Sequence, residues 1–334
     1  LLGTNKATIT AFNISNENKD AITETWVVVR PPGATLPEPG SPVLWLPTVP
    51  LDPDPEVEGT YQGEYDGFNN AGDYQLAVYA RDTAGRTSEP VLKTVTVSSP
   101  LRRRALLVVG GTIDDPFWPA ISNNALTAWQ ALRFQGYTND DIRFYCTEAI
   151  VPEVNGLPTE DNVRLAITEW AAADTQDLVV YLTGTGGQDY LQMAPGETLV
   201  SLSLQAWLNT LRATMPGRVS VICDFCSSGS FLPSLSGVTD GSRIVISGTG
   251  RDSAPSFSSN GEVSFSRFFW RQVLSGANLR GAFLTAANAL QFSDGQNAPC
   301  LDDTGDGLYT PGVDGRFAAA TMLGRGVRIA RDPP

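Results

Sequence analysis

Apolar and polar residues alternate in short runs over residues 7–97, and beyond residue 100 they recur in longer blocks of two different periods. The early runs are "ATITAFNIS", "ETWVVVR", "PVLWLPTV", "GTYQGEY", "DYQLAVYA" and "LKTVTV", separated by clusters of Gly, Pro and Asn. Alternation at every second residue is what a half-buried strand requires, because successive side chains point to opposite faces. Tyr74, Leu76, Val78 and Ala80 share one such face. "RDTAGRTS" then reads as a hairpin turn in which Gly85 takes a positive φ.

Several short strands at this spacing predict an all-β sandwich of immunoglobulin-like architecture over residues 1–98. The Cys-Trp-Cys signature of antibody domains is absent. Residues 99–104 read as a linker. After it, "ALLVVGG", "DIRFYC", "DLVVYLTG", "RVSVICDF" and "RIVISG" are strand candidates that alternate with helical patterns. Ile121, Ala125, Trp129 and Leu132 line one helix face, closed by Gly136; Thr159 caps a second helix bearing Val163, Ile167 and Trp170. Leu204, Trp207, Leu208 and Leu211 mark a third, and two more span 264–274 and 278–290. That order predicts an α/β domain over residues 105–300. Its sheet is mostly parallel, covered by helices on both faces, with sites at the carboxyl ends of the strands.

Composition narrows the function. The chain has 334 residues, enough for two domains, and no apolar run reaches the roughly 18 residues of a membrane span. Its 36 acidic residues exceed its 23 basic ones, for a net charge of -13. That balance argues against nucleic-acid partners, which require phosphates to be neutralised by Lys and Arg. "LRRR" at 101–104 is the one basic cluster and reads as a solvated hinge. The four cysteines are too few for a disulfide framework, and a Cys146–Cys300 pairing is left open. The chain has no histidine, which excludes His-based acid/base chemistry and His-ligated zinc.

Three strand ends carry unusual residues: "LTGTGGQ", "CDFCSSGS" (223–230) and "SGTGRDSAPS" (247–256). The first lacks the Gly-Lys-Ser/Thr ending of a phosphate loop and the third Gly of a dinucleotide fingerprint, so no nucleotide is expected. In the second, Cys223 and Cys226 cannot share a strand face. Cys223, flanked by Val221 and Ile222, suits the core, and Cys226 falls where a side chain projects into a cleft. A buried, inert Cys226 is the competing reading.

The succession "RALLVVGG", "VVYLTGTGG", "VICDFCSSGSF" and "RIVISGTG" resembles the legumain-like branch of the caspase-fold cysteine peptidases over about residues 103–325. The likeness is to bacterial multidomain members flanked by immunoglobulin-like modules. Their Asp/Glu-Ala-Cys-x-Ser-Gly-Ser block is here "DFCSSGS", which puts Cys226 at the nucleophile position and Phe225 in place of Ala. Their His-Gly pair, typically within "DHGG", falls on Gly184-Thr185-Gly186-Gly187. The resemblance therefore implies that Gly186 supplies the oxyanion N–H and that Thr185 replaces the catalytic histidine. It also implies that Arg251, Asp252 and Ser253 line the substrate pocket, a loop that reads equally well as solvated and polar.

Losing a positioned acid/base group costs about 10²–10⁴-fold in rate. Asp189 is the nearest ionisable substitute in sequence, and a carboxylate suits the task poorly. The expectation is a degenerate, inactive peptidase domain of a secreted or cell-surface bacterial protein, used for binding a protein or peptide or for self-association. A weakly active cysteine peptidase and a structural subunit of a surface layer or filament are the alternatives.

Residues 301–334 read as an acidic loop and tail. "LDDTGDGLYTPGVDG" places Asp302, Thr304 and Asp306 at alternate positions before Gly307, as at the start of a calcium loop. Position 12 is Val313 rather than Glu, with Asp314 adjacent. A structural calcium ion and a plain Asx-rich turn both fit this pattern.

Overall fold

The structure is a computed structural model and describes residues 5–329 apart from 17, 19, 33, 35–43, 99–100, 256, 258, 294–297 and 326–327. It divides into two compact units, Leu1–Arg102 with Arg325–Pro334, and Arg103–Gly324.

The first unit contains β1 (Ala7–Ala11), β2 (Ile22–Arg30), β3 (Leu44–Trp45), β4 (Thr48–Pro53), β5 (Tyr61–Tyr65), β6 (Gly72–Asp82) and β7 (Val91–Val97). Six of these form a sheet in the order β1-β5-β4-β2-β6-β7, every pair antiparallel. β4 joins its two halves: Thr48–Leu51 pair with β2, and Asp52 and Pro53 pair with β5. The alternating apolar residues meet in one core that includes Val27, Val29, Leu51, Phe68, Tyr74 and Leu76. The Tyr74 hydroxyl accepts the Asn70 N–H at 2.9 Å and donates to the Gly67 carbonyl at 3.3 Å, fixing the entry to β6. Gly85 takes its expected positive φ, +78°. The run expected as one strand at "PVLWLPTV" is two, and β3 pairs instead with Arg328–Ile329 near the C-terminus.

The second unit follows the strand–helix alternation. Its elements begin with β8 (Arg102–Val109), α1 (Trp118–Phe134), β9 (Ile142–Cys146), α2 (Glu160–Leu165) and β10 (Thr175–Thr183). A small sheet of β11 (Gly186–Gly187), β12 (Tyr190–Gln192) and β13 (Thr198–Val200) comes next, then α3 (Ser201–Arg212), β14 (Val219–Asp224) and α4 (Phe231–Ser234). The unit ends with β15 (Arg243–Ser247), α5 (Phe265–Leu274), α6 (Leu279–Ser293), β16 (Cys300–Asp302) and α7 (Arg316–Ala319).

The six-stranded sheet runs β16-β15-β14-β10-β8-β9. β9 is parallel to β8, β14 is parallel to both β10 and β15, and β16 is antiparallel at the edge. Strand alternation splits the apolar residues between two cores. Leu107, Val109, Tyr181, Ile222 and Ile246 face α1, α5 and α6, while Leu106, Val108, Val180, Leu182 and Val221 face α2, α3 and α4. Helices therefore cover both faces, as the pattern predicts. Ser264 and Thr159 cap α5 and α2 through the N–H groups of Arg267 and Asn162. The expected regular helix through Trp170 is cut short, because α2 passes after Leu165 into a wider π turn. The acidic segment after residue 300 is not an appendage: β16 closes the sheet, and residues 301–324 belong to this unit. No helix among the described residues is long and apolar enough to cross a membrane.

β8 lies between β9 and β10, so the winding direction of the sheet reverses there. Loops leaving the carboxyl ends of strands at such a reversal splay apart and open a crevice. The loops after β8, β10, β14 and β15 carry the residues described next.

Candidate functional site

β14 ends at Asp224, one residue earlier than the sequence pattern predicts, because Phe225 turns into the core. Its ring packs edge-on against Phe231 with centroids 5.1 Å apart. Cys226 follows, half-buried, and Ser227 takes a left-handed φ of +60° that turns the chain toward α4. Hydrogen bonds pin this loop to the one after β15. Ser228 N–H donates to Thr249 Oγ1 at 2.9 Å, Thr249 Oγ1 donates to the Phe225 carbonyl at 3.0 Å, and Ser227 N–H donates to the Ser253 carbonyl at 2.7 Å.

β10 ends at Thr183, whose carbonyl accepts the Gly110 N–H at 2.8 Å. Thr185 then stands exposed, and Gly186 begins β11. Gly186 must lack a side chain: a Cβ there would lie 2.6 Å from Phe225 Cδ2 and 2.7 Å from the Tyr190 carbonyl oxygen. The N–H groups of Gly186 and of Cys226 itself favour the ionised form of the Cys226 thiol.

Among the described residues, the ionisable groups that bear on the sulfur are the carboxylates of Asp115 and Asp224. Thr185 Oγ1 donates to Asp115 Oδ2, and Asp115 Oδ1 accepts the Phe117 N–H at 2.8 Å. Burial pushes the Cys226 thiol up; the two N–H groups pull it down, and the carboxylates of Asp115 and Asp224 add to the rise. The balance of these effects favours the protonated thiol.

Asp189, the nearest ionisable residue in sequence, is turned away by a left-handed φ of +61°. Its carboxylate accepts instead from Ser201 and Ser234, each at 3.4 Å. Asp115 takes the place beside Thr185, and sequence reasoning missed it. The available signal was the acidic pair in "TIDDPF", just past the carboxyl end of β8. Of the expected pocket residues, the Ser253 backbone holds Ser227, Asp252 accepts from Gln188 Nε2 at 2.6 Å, and Arg251 is exposed. The fold therefore brings Cys226, Thr185, Gly186, Asp252 and Ser253 onto neighbouring loops. Cys223 is fully buried and its thiol is pushed up by that burial. All four cysteines are free, so Cys146 and Cys300 are not bridged.

The acidic loop is a separate structure. Asp302 accepts the N–H groups of Thr304, Gly305 and Gly307 at 2.7–3.0 Å. Thr304 Oγ1 lies 3.0 Å from Asp314 Oδ1 and 3.4 Å from Asp302 Oδ1. Asp306 turns aside to accept the Leu308 N–H at 2.9 Å. Among the described residues, no group of three or more His, Cys, Asp or Glu side chains stands ready to hold a metal ion.

No family model and no curated protein matches the chain. Among solved structures, the crystal structure of caspase-1 from Spodoptera frugiperda is similar to it, with a TM-score of 0.43 and 9% sequence identity, over 61% of this chain and 86% of that one.

Proposed function

We propose that residues 103–324 form a degenerate cysteine-peptidase domain of the caspase/legumain type that binds or assembles rather than hydrolyses. One observation carries this reading: the position expected to hold the base for Cys226 is Thr185, whose hydroxyl is bonded to the carboxylate of Asp115. A mostly parallel sheet with an antiparallel edge strand and the "DFCSSGS" block at the end of β14 supports the family assignment. The antiparallel first unit, with the Tyr74 hydroxyl bonded back to the preceding loop, supports reading that unit as an immunoglobulin-like module. Partners are then a protein or peptide segment or a second copy, at the surface of a bacterial cell. Wild type and Cys226→Ala are expected to cleave a mixed peptide library at the same background rate. Turnover lost only in Cys226→Ala would establish the weakly active peptidase instead, a reading favoured by the half-buried thiol whose ionised form two N–H groups favour.

A structural calcium ion at Asp302, Thr304, Asp306 and Asp314 is a separate proposal, supported by the convergence of the Asp302, Thr304 and Asp314 oxygens. Asp306 would have to swing inward to join them. Millimolar calcium is expected to raise the Tm by a few degrees, because an ion that binds only the folded state stabilises it. An unchanged Tm, with no heat in a calcium titration, sinks the proposal.

A further inference from the structure

Asp224 closes β14, and only 1% of it is exposed. Its Oδ2 accepts the Ser266 N–H at 3.1 Å and also the Ser266 hydroxyl. Tyr181 in turn donates to that hydroxyl at 2.7 Å. Ser266 lies in the first turn of α5, so one carboxyl oxygen ties the end of β14 to the start of that helix. The other oxygen, Oδ1, is buried with no hydrogen-bond partner among the described residues. It lies against Gly248, where a Cβ would sit 2.4 Å from it.

A buried carboxylate with one unsatisfied oxygen needs a counter-charge, and among the described residues no cationic group bears on it. Tyr181 on β10, Cys223 on β14 and Cys226 in the following loop bear on it electrostatically, and all three are uncharged acids. Thr183 on β10 donates to its backbone carbonyl, and α5 offers only Ser266. A proton on Oδ1 removes the charge.

We propose that Asp224 is a proton-linked switch beneath the Cys226 loop. It holds a proton in mild acid and, once ionised, places an uncompensated charge between β14, α5 and the Cys226 thiol. Burial pushes its carboxyl from 3.8 up to about 6, against the pull of the two Ser266 donors. Between those two pH values the native chain keeps a proton that the unfolded chain has released. Stability therefore falls as pH rises through this window and levels off above it. The inference rests on the buried geometry and stands whether or not the peptidase reading holds.

The test is the unfolding equilibrium of wild type and Asp224→Asn across the window. Wild type is expected to lose roughly 100-fold more in the equilibrium constant than the variant, the factor that a shift of about two pH units implies. The variant is expected to be the more stable of the two at neutral pH and to alkylate faster at Cys226, because one carboxylate no longer holds that thiol up. Parallel stability curves would overturn the proposal. Should the variant not fold, carbon-13 titration of the wild-type carboxyls decides. One midpoint near 6 is expected, and every carboxyl ionised well below that value overturns it.

Discussion

Replacing Thr185 with histidine is expected to speed alkylation of Cys226 at neutral pH by about 10–100-fold. Position 185 is exposed, and its neighbour Gly186 bears on the Cys226 thiol, so a histidine is placed there to test for a missing base. Asp115, which now accepts from Thr185, would accept from the ring and hold it in place. An imidazole of pKa near 6.5 is largely unprotonated at neutral pH and can take the thiol proton as a general base while the sulfur attacks. Peptide turnover that vanishes in Thr185→His/Cys226→Ala is expected to accompany the faster labelling. Thr185→Ala is the control, because it frees Asp115 without adding a base, and no acceleration is expected from it. An unchanged labelling rate in Thr185→His would mean that position 185 is not where the base is missing.

Phe225→Ala is expected to cost about 3–5 kcal/mol, the range for deleting a fully buried ring. The sequence resemblance implies Ala at this position, and the exchange reads as harmless drift. The packing says otherwise. The Phe225 ring fills the second core against Phe231 and forms one wall beside Gly186. Ala at 225 would not open space for a side chain at 186, because the Tyr190 carbonyl oxygen still lies 2.7 Å from where its Cβ would be. The variant should therefore lose stability and also loosen the Gly186 N–H that bears on the thiol. Urea unfolding measures the first effect, and a loss below about 1 kcal/mol would show that the ring is not a pillar of this core.

Much of the fold was legible because burial leaves periodic marks. Alternation marked the strands of the first unit, the wholly apolar runs marked the strands of a sheet covered on both faces, and Thr159 caps the helix expected of it. Cys223 was readable as core because its flanking residues are apolar. Within the site, legibility ended where contacts cross the sheet. Asp115 is 70 residues from Thr185 in sequence, and only the reversal of winding at β8 brings them together. Asp189 looked nearer, but a single left-handed residue turned its carboxylate toward α3 and α4. The strands β11 to β13 have two or three residues each, too few for any period to register. The orphan oxygen of Asp224 is likewise invisible in "VICDFC", where the aspartate looks like any polar residue at a strand end.

The claim that nothing in this cleft activates Cys226 is tested most directly by its alkylation rate as a function of pH, with Cys226→Ala as the blank. The predicted midpoint lies above that of a free thiol, about 8.5, because burial and two carboxylates outweigh two backbone N–H groups. A midpoint below about 7, the range of activated thiolates, would contradict it and return the site to the working cysteine peptidases.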